Sequence, residues 1–270
     1  MFEYLAPSYA FAGVSLEEAC DRVAALGLRK IDLWFVGGMC EHLPPKQREL
    51  DLPRIRRALA HAGLGCHALS IYGGGMTREL QLARLEQLRE LGGRCLIRGS
   101  SKQSAEEVIE EARPVVERAE ALGVEYLLEN HNHSGFDRVA DIEQVLGAYA
   151  GRALGLAFAP NHLHFQGEQP EQVIGRVAER IGMFYAWDWG APTAEIWRDP
   201  SHQLAGTGQL DFPAMFRALK TAGHARPQCL FAHGIEHWPA QQAEDGLRRA
   251  LAFCREVERE LEAVGAGGRQ

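Results

Sequence analysis

Val124-Glu125-Tyr126-Leu127-Leu128-Glu129-Asn130-His131-Asn132-His133 joins a short apolar run to a carboxylate, an amide and two imidazoles. Gly123 precedes the run, and a run of this length suits a strand buried on both faces of a parallel sheet. In α/β folds ligands bind at the carboxyl ends of such strands, which is where Glu129, Asn130 and His131 fall. A strand end with solvated polar residues would read the same way in isolation. Recurrence of the pattern along the chain separates the two.

Working outward, strand-like and helix-like segments alternate. Strands are expected over 4–9, 30–35, 65–72, 94–98, 124–129, 154–159, 183–187 and 228–231. Helices are expected over 16–26, 54–61, 77–91, 105–122, 139–149, 169–180, 212–222 and 240–263. Ser15, with Glu18 three residues on, reads as a capping box, and Gly27, Gly63 and Gly92-Gly93 read as helix stops. Alternation of this kind implies parallel strands joined by right-handed crossovers. About eight β-α units in 270 residues predict an α/β fold, a single-domain (β/α)8 TIM barrel over 1–264 with a flexible glycine-rich tail over 265–270. A doubly wound open sheet is the runner-up, but no G-x-G-x-x-G follows the first strand, and Gly73-Gly74-Gly75 lacks the Lys-Ser/Thr of a phosphate loop.

Composition narrows the class. Hydrophobic residues make up 46% and charged residues 24%, the balance of an ordinary globular protein. A formal net charge of -7 gives no general attraction to nucleic acid or anionic membrane, so neither is expected as a partner. No apolar run approaches the roughly 20 residues that span a bilayer. The six cysteines are scattered without a C-x-x-C pair, which fits reduced thiols and a cytoplasmic location.

In a barrel the residues after each strand converge on one mouth. The third strand carries His67 and ends near Tyr72, and the fifth ends in Glu129, Asn130 and His131. The sixth ends in Ala159-Pro160-Asn161-His162-Leu163-His164, and the seventh in Tyr185-Ala186-Trp187-Asp188-Trp189. The eighth ends in His233-Gly234-Ile235-Glu236-His237-Trp238. Imidazoles serve as acid-base groups near neutral pH and as metal ligands, and Trp187, Trp189 and Trp238 could wall a sugar ring. Each residue also has a structural reading, as a satisfied core histidine or a capping indole. Glu129 stands apart, because a carboxylate closing a parallel strand is costly to bury without a partner.

These residues resemble the xylose isomerase-like TIM barrels, the sugar phosphate isomerase/epimerase superfamily. The likeness covers nearly the whole chain: SLEEACDRVAALG from Ser15, KIDLWF from Lys30, LLENHNH from Leu127, LAFAPNHLH from Leu156, and Gly206-Thr207-Gly208-Gln209-Leu210-Asp211-Phe212. It implies a sugar-converting enzyme with one divalent metal at the mouth, often Mn or Co and sometimes Zn. The ligands would be Glu after strand five, Asp after strand six, His after strand seven and Glu at strand eight. Glu129 matches the first, and His162 matches a substrate-contacting histidine after strand six. Ala159 replaces the Asp, Tyr185 replaces the His while Asp188 is kept, and Ala232-His233 stands at the last position with Glu236 further on.

The resemblance therefore implies catalytic Glu129 and His162, and a substrate wall of His67, Asn130, Tyr185, Trp187, Asp188 and Trp238. A rebuilt metal site would draw on Glu129, His131, His233 and Glu236 and would suit Mn, Co, Zn or Fe. The absence of any cofactor stays open beside it. The leading expectation is a sugar or polyol isomerase or epimerase, transferring a proton next to a carbonyl. A lyase acting on a keto-sugar and a non-catalytic sugar-binding protein on a retired enzyme scaffold are the alternatives. Relatives commonly form dimers and tetramers, which leaves a homo-oligomer open.

Overall fold

A computed structural model describes residues 1–43, 49–73, 76–190 and 199–267, with side chains described as far as residue 264. Eight strands form a closed barrel in chain order: β1 (Tyr4–Pro7), β2 (Lys30–Val36), β3 (Gly65–Tyr72), β4 (Cys95–Gly99), β5 (Glu125–Glu129), β6 (Leu154–Phe158), β7 (Ile181–Ala186) and β8 (Gln228–Leu230). Every neighbouring pair is parallel, and β1 closes on β8 by pairing Tyr4 with Gln228 and Leu5 with Cys229. The connecting helices are α1 (Leu16–Ala25), α2 (Leu52–Ala62), α3 (Arg78–Glu90), α4 (Ala105–Leu122), α5 (Val139–Gly147), α6 (Pro160–Phe165), α7 (Pro170–Val177), α8 (Phe212–Thr221) and α9 (Ala240–Gly267). The fold is the (β/α)8 TIM barrel that the alternation implies.

Local chemistry sets the element ends. Gly123 adopts φ 69°, a left-handed conformation that ends α4 at little steric cost, and β5 begins two residues later. Every residue of β5 is buried, with Tyr126, Leu127 and Leu128 no more than 1% exposed, as expected of a strand covered on both faces. Removing one such leucine side chain would cost about 2–5 kcal/mol.

The sequence reading departs from the structure at particular places. The first strand stops at Pro7, and Ser8–Phe11 forms a 3-10 turn, which carries the Tyr9 ring into the barrel mouth. Ser15 caps α1 by accepting from the Glu18 N–H at 3.2 Å, but the reciprocal half of the expected box is missing because Glu18 pairs with Arg22. The complete box lies on α4, between Ser104 and Glu107. The segment after β6 is a short helix, α6, begun by Pro160 at its first turn. The closing helix runs to Gly267, past the expected 263, and residues 268–270 lie outside those described. Gly74 and Gly75 of the glycine loop also lie outside them. Among the described residues, no helix is long and apolar enough to cross a membrane.

Candidate active site

At the carboxyl end of the barrel lies a cavity of about 250 Å³. Among the described residues, five aromatic rings wall it: Tyr9 from the 3-10 turn, Trp34 from β2, Tyr72 from the end of β3, and Trp187 and Phe231 just past β7 and β8. Trp34 stacks on Tyr72 at 4.7 Å between centroids and on Phe231 at 5.2 Å, while Trp187 meets Phe231 edge-on at 4.7 Å. Such offset and edge contacts fix the rings against one another. Glu129, His131 and His233 supply polar groups to the same cavity.

Glu129 closes β5 with its side chain only 5% exposed. The Tyr72 hydroxyl donates to its Oε2, and His162 Nε2 stands 3.5 Å from its Oε1. Burial alone would raise the carboxyl, but the contacts with His162, His131 and Tyr72 outweigh it and hold Glu129 below the ordinary range. His162 is wholly buried on α6, and burial pulls it down to about 4, so at neutral pH it is a neutral imidazole beside an ionised carboxylate. Its ring meets His131 at 4.5 Å and Trp187 at 5.0 Å. His131 Nδ1 lies 3.0 Å from the Asn132 carbonyl. A carbonyl can only accept, so Nδ1 carries the hydrogen, and in the neutral ring Nε2 is left as acceptor.

His233 lines the cavity with Nδ1 at 3.5 Å from the Tyr9 hydroxyl. Burial lowers its pKa against the opposing pull of Glu236 and Glu129. Glu236 is buried in a 3-10 turn, 3.4 Å from His237, and its carboxylate also bears on Tyr9 and His233.

Several residues expected at the site build it instead of facing it. Asn130 is fully buried, and its amide is engaged on both sides: Nδ2 donates to the Ala159 carbonyl at 2.9 Å, and Oδ1 accepts the Ala159 N–H at 2.7 Å. It ties the ends of β5 and β6 together. Asp188 accepts four backbone N–H groups, from Trp189 and Leu210 on Oδ1 and from Gly206 and Gly208 on Oδ2, at 2.8–3.0 Å. A Cβ at Gly208 would lie 2.4 Å from Asp188 Oδ1, so the glycine lets the loop close over the carboxylate. Trp238 packs on α9, where a Cβ at Gly246 would come 3.0 Å from its ring, and does not line the cavity. Trp189 sits against Phe165 at 5.9 Å.

His67 does not join the mouth. It lies near the start of β3, in the bulge where Ile31 pairs with Cys66 but Asp32 with Ala68, among the charges of Lys30, Arg94 and Arg226. Its place in the strand, two residues from the amino end, puts it near the opposite rim. Tyr185 is 1% exposed on β7, beside Tyr72 and Glu129.

Two neighbours of the site lie outside the strand-end pattern of the sequence. Gln203 accepts from the Trp187 indole at 2.9 Å and from the His233 N–H at 3.2 Å, joining the ends of β7 and β8. Asp32, fully buried on β2, accepts from Trp34 Nε1 at 2.6 Å and Ser70 Oγ at 2.8 Å, and burial pushes its carboxyl up to about 7. A lone charge inside the apolar strand KIDLWF was the available clue. The aromatic wall had none, since Tyr9, Trp34 and Phe231 look like core residues until the barrel closes.

The donor set does not fit the metal that the family resemblance implies. Ala159 offers no donor, and the strand-seven position carries a phenol. Both Glu129 oxygens are already approached, one by Tyr72 and one by His162. Among the described residues, no group of three His, Cys, Asp or Glu side chains is placed to hold an ion, so Glu129, His131, His233 and Glu236 are not gathered into a ligand set.

A family model described as xylose isomerase-like TIM barrel matches residues 20–257. Among solved structures, the IOLI protein with a bound zinc atom superposes with a TM-score of 0.77 at 14% identity, over 95% of this chain and 99% of that one. An L-ribulose 3-epimerase gives 0.74 at 19% identity, over 98% of each chain. The 3-keto-D-glucoside 4-epimerase YcjR from E. coli gives 0.70 at 15% identity, over 93% of this chain and 100% of that one. At these identities the likeness carries the fold alone. No curated protein sequence matches the chain.

Proposed function

The chain belongs to the xylose isomerase-like TIM barrel family, and from that premise we propose an isomerase or epimerase of a sugar or polyol that moves a proton next to a carbonyl. The observation that carries this reading is Glu129: a buried carboxylate, held ionised, on the wall of an aromatic cavity. Solved neighbours named as sugar epimerases support the substrate class. A cavity of about 250 Å³ suits a small molecule, being below the roughly 300–1,000 Å³ of drug-sized sites.

Glu129 is the base that takes the proton from the carbon beside the carbonyl. His162, neutral and packed against it, holds the carboxylate in place. His131 and His233 meet substrate hydroxyls. Positioned acid-base groups of this kind contribute about 10²–10⁴-fold in rate. The aromatic rings hold the ring face of the sugar and keep water from the carboxylate.

The test is proton exchange. The protein is incubated in D2O with a panel of ketoses and keto-glycosides that includes L-ribulose, and carbon-bound deuterium is followed by NMR. Exchange with at least one sugar is expected, slowed about 10²–10⁴-fold in Glu129→Gln. Exchange untouched by that variant removes Glu129 from the chemistry. An unsaturated product in place of an isomer indicates elimination, and sugars that bind without exchange indicate a binding protein.

A further inference from the structure

We propose that Tyr72 is the electrophile of this site: its phenol hydroxyl donates to the substrate carbonyl oxygen, the task a divalent metal performs in a barrel with the full ligand set, and Tyr185 positions it. The proposal rests on Glu129 being the base.

Enolisation needs two groups side by side, because a carbonyl oxygen and the hydrogen on the next carbon are separated by one C–C bond. The Tyr72 hydroxyl and the Glu129 carboxylate are hydrogen-bonded to each other, and both line the cavity. Glu129 takes the proton, the C–H electron pair becomes the C=C bond of the enolate, and the carbonyl π pair moves onto oxygen. Negative charge thus leaves the carboxylate and appears on the substrate oxygen. The Tyr72 O–H, no longer facing a carboxylate, turns to that oxygen without giving up its proton. Return of the proton from Glu129 to the same carbon restores the substrate with exchange. For delivery to the former carbonyl carbon, the hydrogen of the adjacent hydroxyl first moves to the enolate oxygen. This carbon then becomes the alcohol and its neighbour the new carbonyl, and no oxidant or reductant enters. Donors fixed in a water-poor site are effective because they need no reorganisation as charge develops.

The surroundings of Tyr72 fit this role. Its ring stacks on Trp34 with an interplanar angle of 17°, and Trp34 is in turn held by Asp32. Tyr185 stands where the family resemblance would place a metal-ligand histidine. Its hydroxyl is buried beside Glu129 and next to the Tyr72 hydroxyl, with which it interacts. When the Tyr72 hydrogen turns to substrate, the Tyr72 oxygen is free to accept from the Tyr185 O–H. Burial and the Glu129 charge keep both phenols protonated, hence donors, at neutral pH.

The test uses 4-nitrophenol as an oxyanion probe in the Glu129→Gln protein, which mimics the protonated base. Binding of its phenolate is read by visible absorbance, and 4-nitrotoluene serves as the uncharged control. Phenolate binding is expected in Glu129→Gln and should weaken about tenfold or more when Tyr72→Phe is added, with 4-nitrotoluene unaffected. Tyr185→Phe should lower the ionised fraction of bound probe, again leaving 4-nitrotoluene unaffected, which a purely structural role would not do. Should Tyr72→Phe melt early, 3-fluorotyrosine at position 72 keeps the shape, strengthens the donor and should tighten phenolate binding. No phenolate binding in Glu129→Gln, or equal binding with and without the Tyr72 hydroxyl, overturns the proposal. Phenolate binding intact in a protein that exchanges no sugar proton overturns only the isomerase reading.

Discussion

Strand β5 begins and ends on a glutamate, and the two ends of one strand put the same side chain to different uses. Glu125 receives Arg94 Nη2 and Arg226 Nη2, each at 2.7 Å on Oε1. Glu129 is comparably buried, with side chains 9% and 5% exposed, yet its partners are a phenol and an imidazole. Two guanidiniums pair with Glu125 and leave it only the task of holding the barrel base. Neutral donors also satisfy a carboxylate, but they let it take a proton, because no cation is left unpaired when it does. Burial of an acid at a strand end is therefore not itself a sign of chemistry. The charge of its partners is.

Exchanging the roles of the two ends is the most direct way to break the comparison. Glu129→Gln should slow proton exchange about 10²–10⁴-fold while moving the melting temperature little, whereas Glu125→Gln should leave exchange within about twofold. Equal losses of exchange in both variants would erase the distinction.

A third buried carboxylate sharpens it. Among the described residues, Asp188 has neither cations nor neutral side chains but four backbone N–H partners. Asp188→Ala should cost about 3 kcal/mol, from stranded donors and a loosened loop, measured by urea unfolding. Amide exchange at Gly206, Gly208 and Leu210 should rise in step, and unchanged protection there would mean the loop stands without its carboxylate.

Glu125→Gln itself should cost less, about 1 kcal/mol, because Arg94 is half exposed and water compensates it. A loss as large as that of Asp188→Ala would show that the basal ion pairs matter more than their exposure suggests.

Asp32 gives the most specific effect, confined to one pH window. Its folded value near 7 stands above the ordinary 3.8 because it is buried, so between about 4 and 7 the native protein keeps a proton that the unfolded chain has released. This contribution favours the native state below that window and is lost as pH rises through it. Asp32→Asn removes the titration, so its stability relative to wild type should improve from pH 5 to pH 8. A difference that stays constant with pH would mean Asp32 titrates normally.

Much of this was legible in the sequence, and the failures have physical causes. The strand ending at Glu129 and the long α4 follow from local rules, an apolar run and a glycine stop, and both stand where those rules put them. His67 shares a strand with Tyr72, which suggests the mouth, but a strand carries residues to both rims and only distance along it tells which. Asn130 and Asp188 read as ligands because side-chain polarity cannot reveal that a backbone group has claimed it. The short α6 went unseen because six residues give too little periodicity to detect.

The barrel follows from local rules, since the spacing of apolar runs, caps and glycines acts over a few residues and leaves parallel closure as the consistent packing. The same rules put Glu129 at the end of a buried strand. Which polar groups meet depends on contacts between residues far apart in the chain. Tyr9, Trp34, Tyr72, Trp187, Phe231 and Gln203 come from both halves of the chain, and their neighbours in space are set by closure of the sheet. The same closure gives Glu129 a phenol and an imidazole and gives Glu125 two arginines, because a residue's partners, unlike its periodicity, are not a local property of the chain.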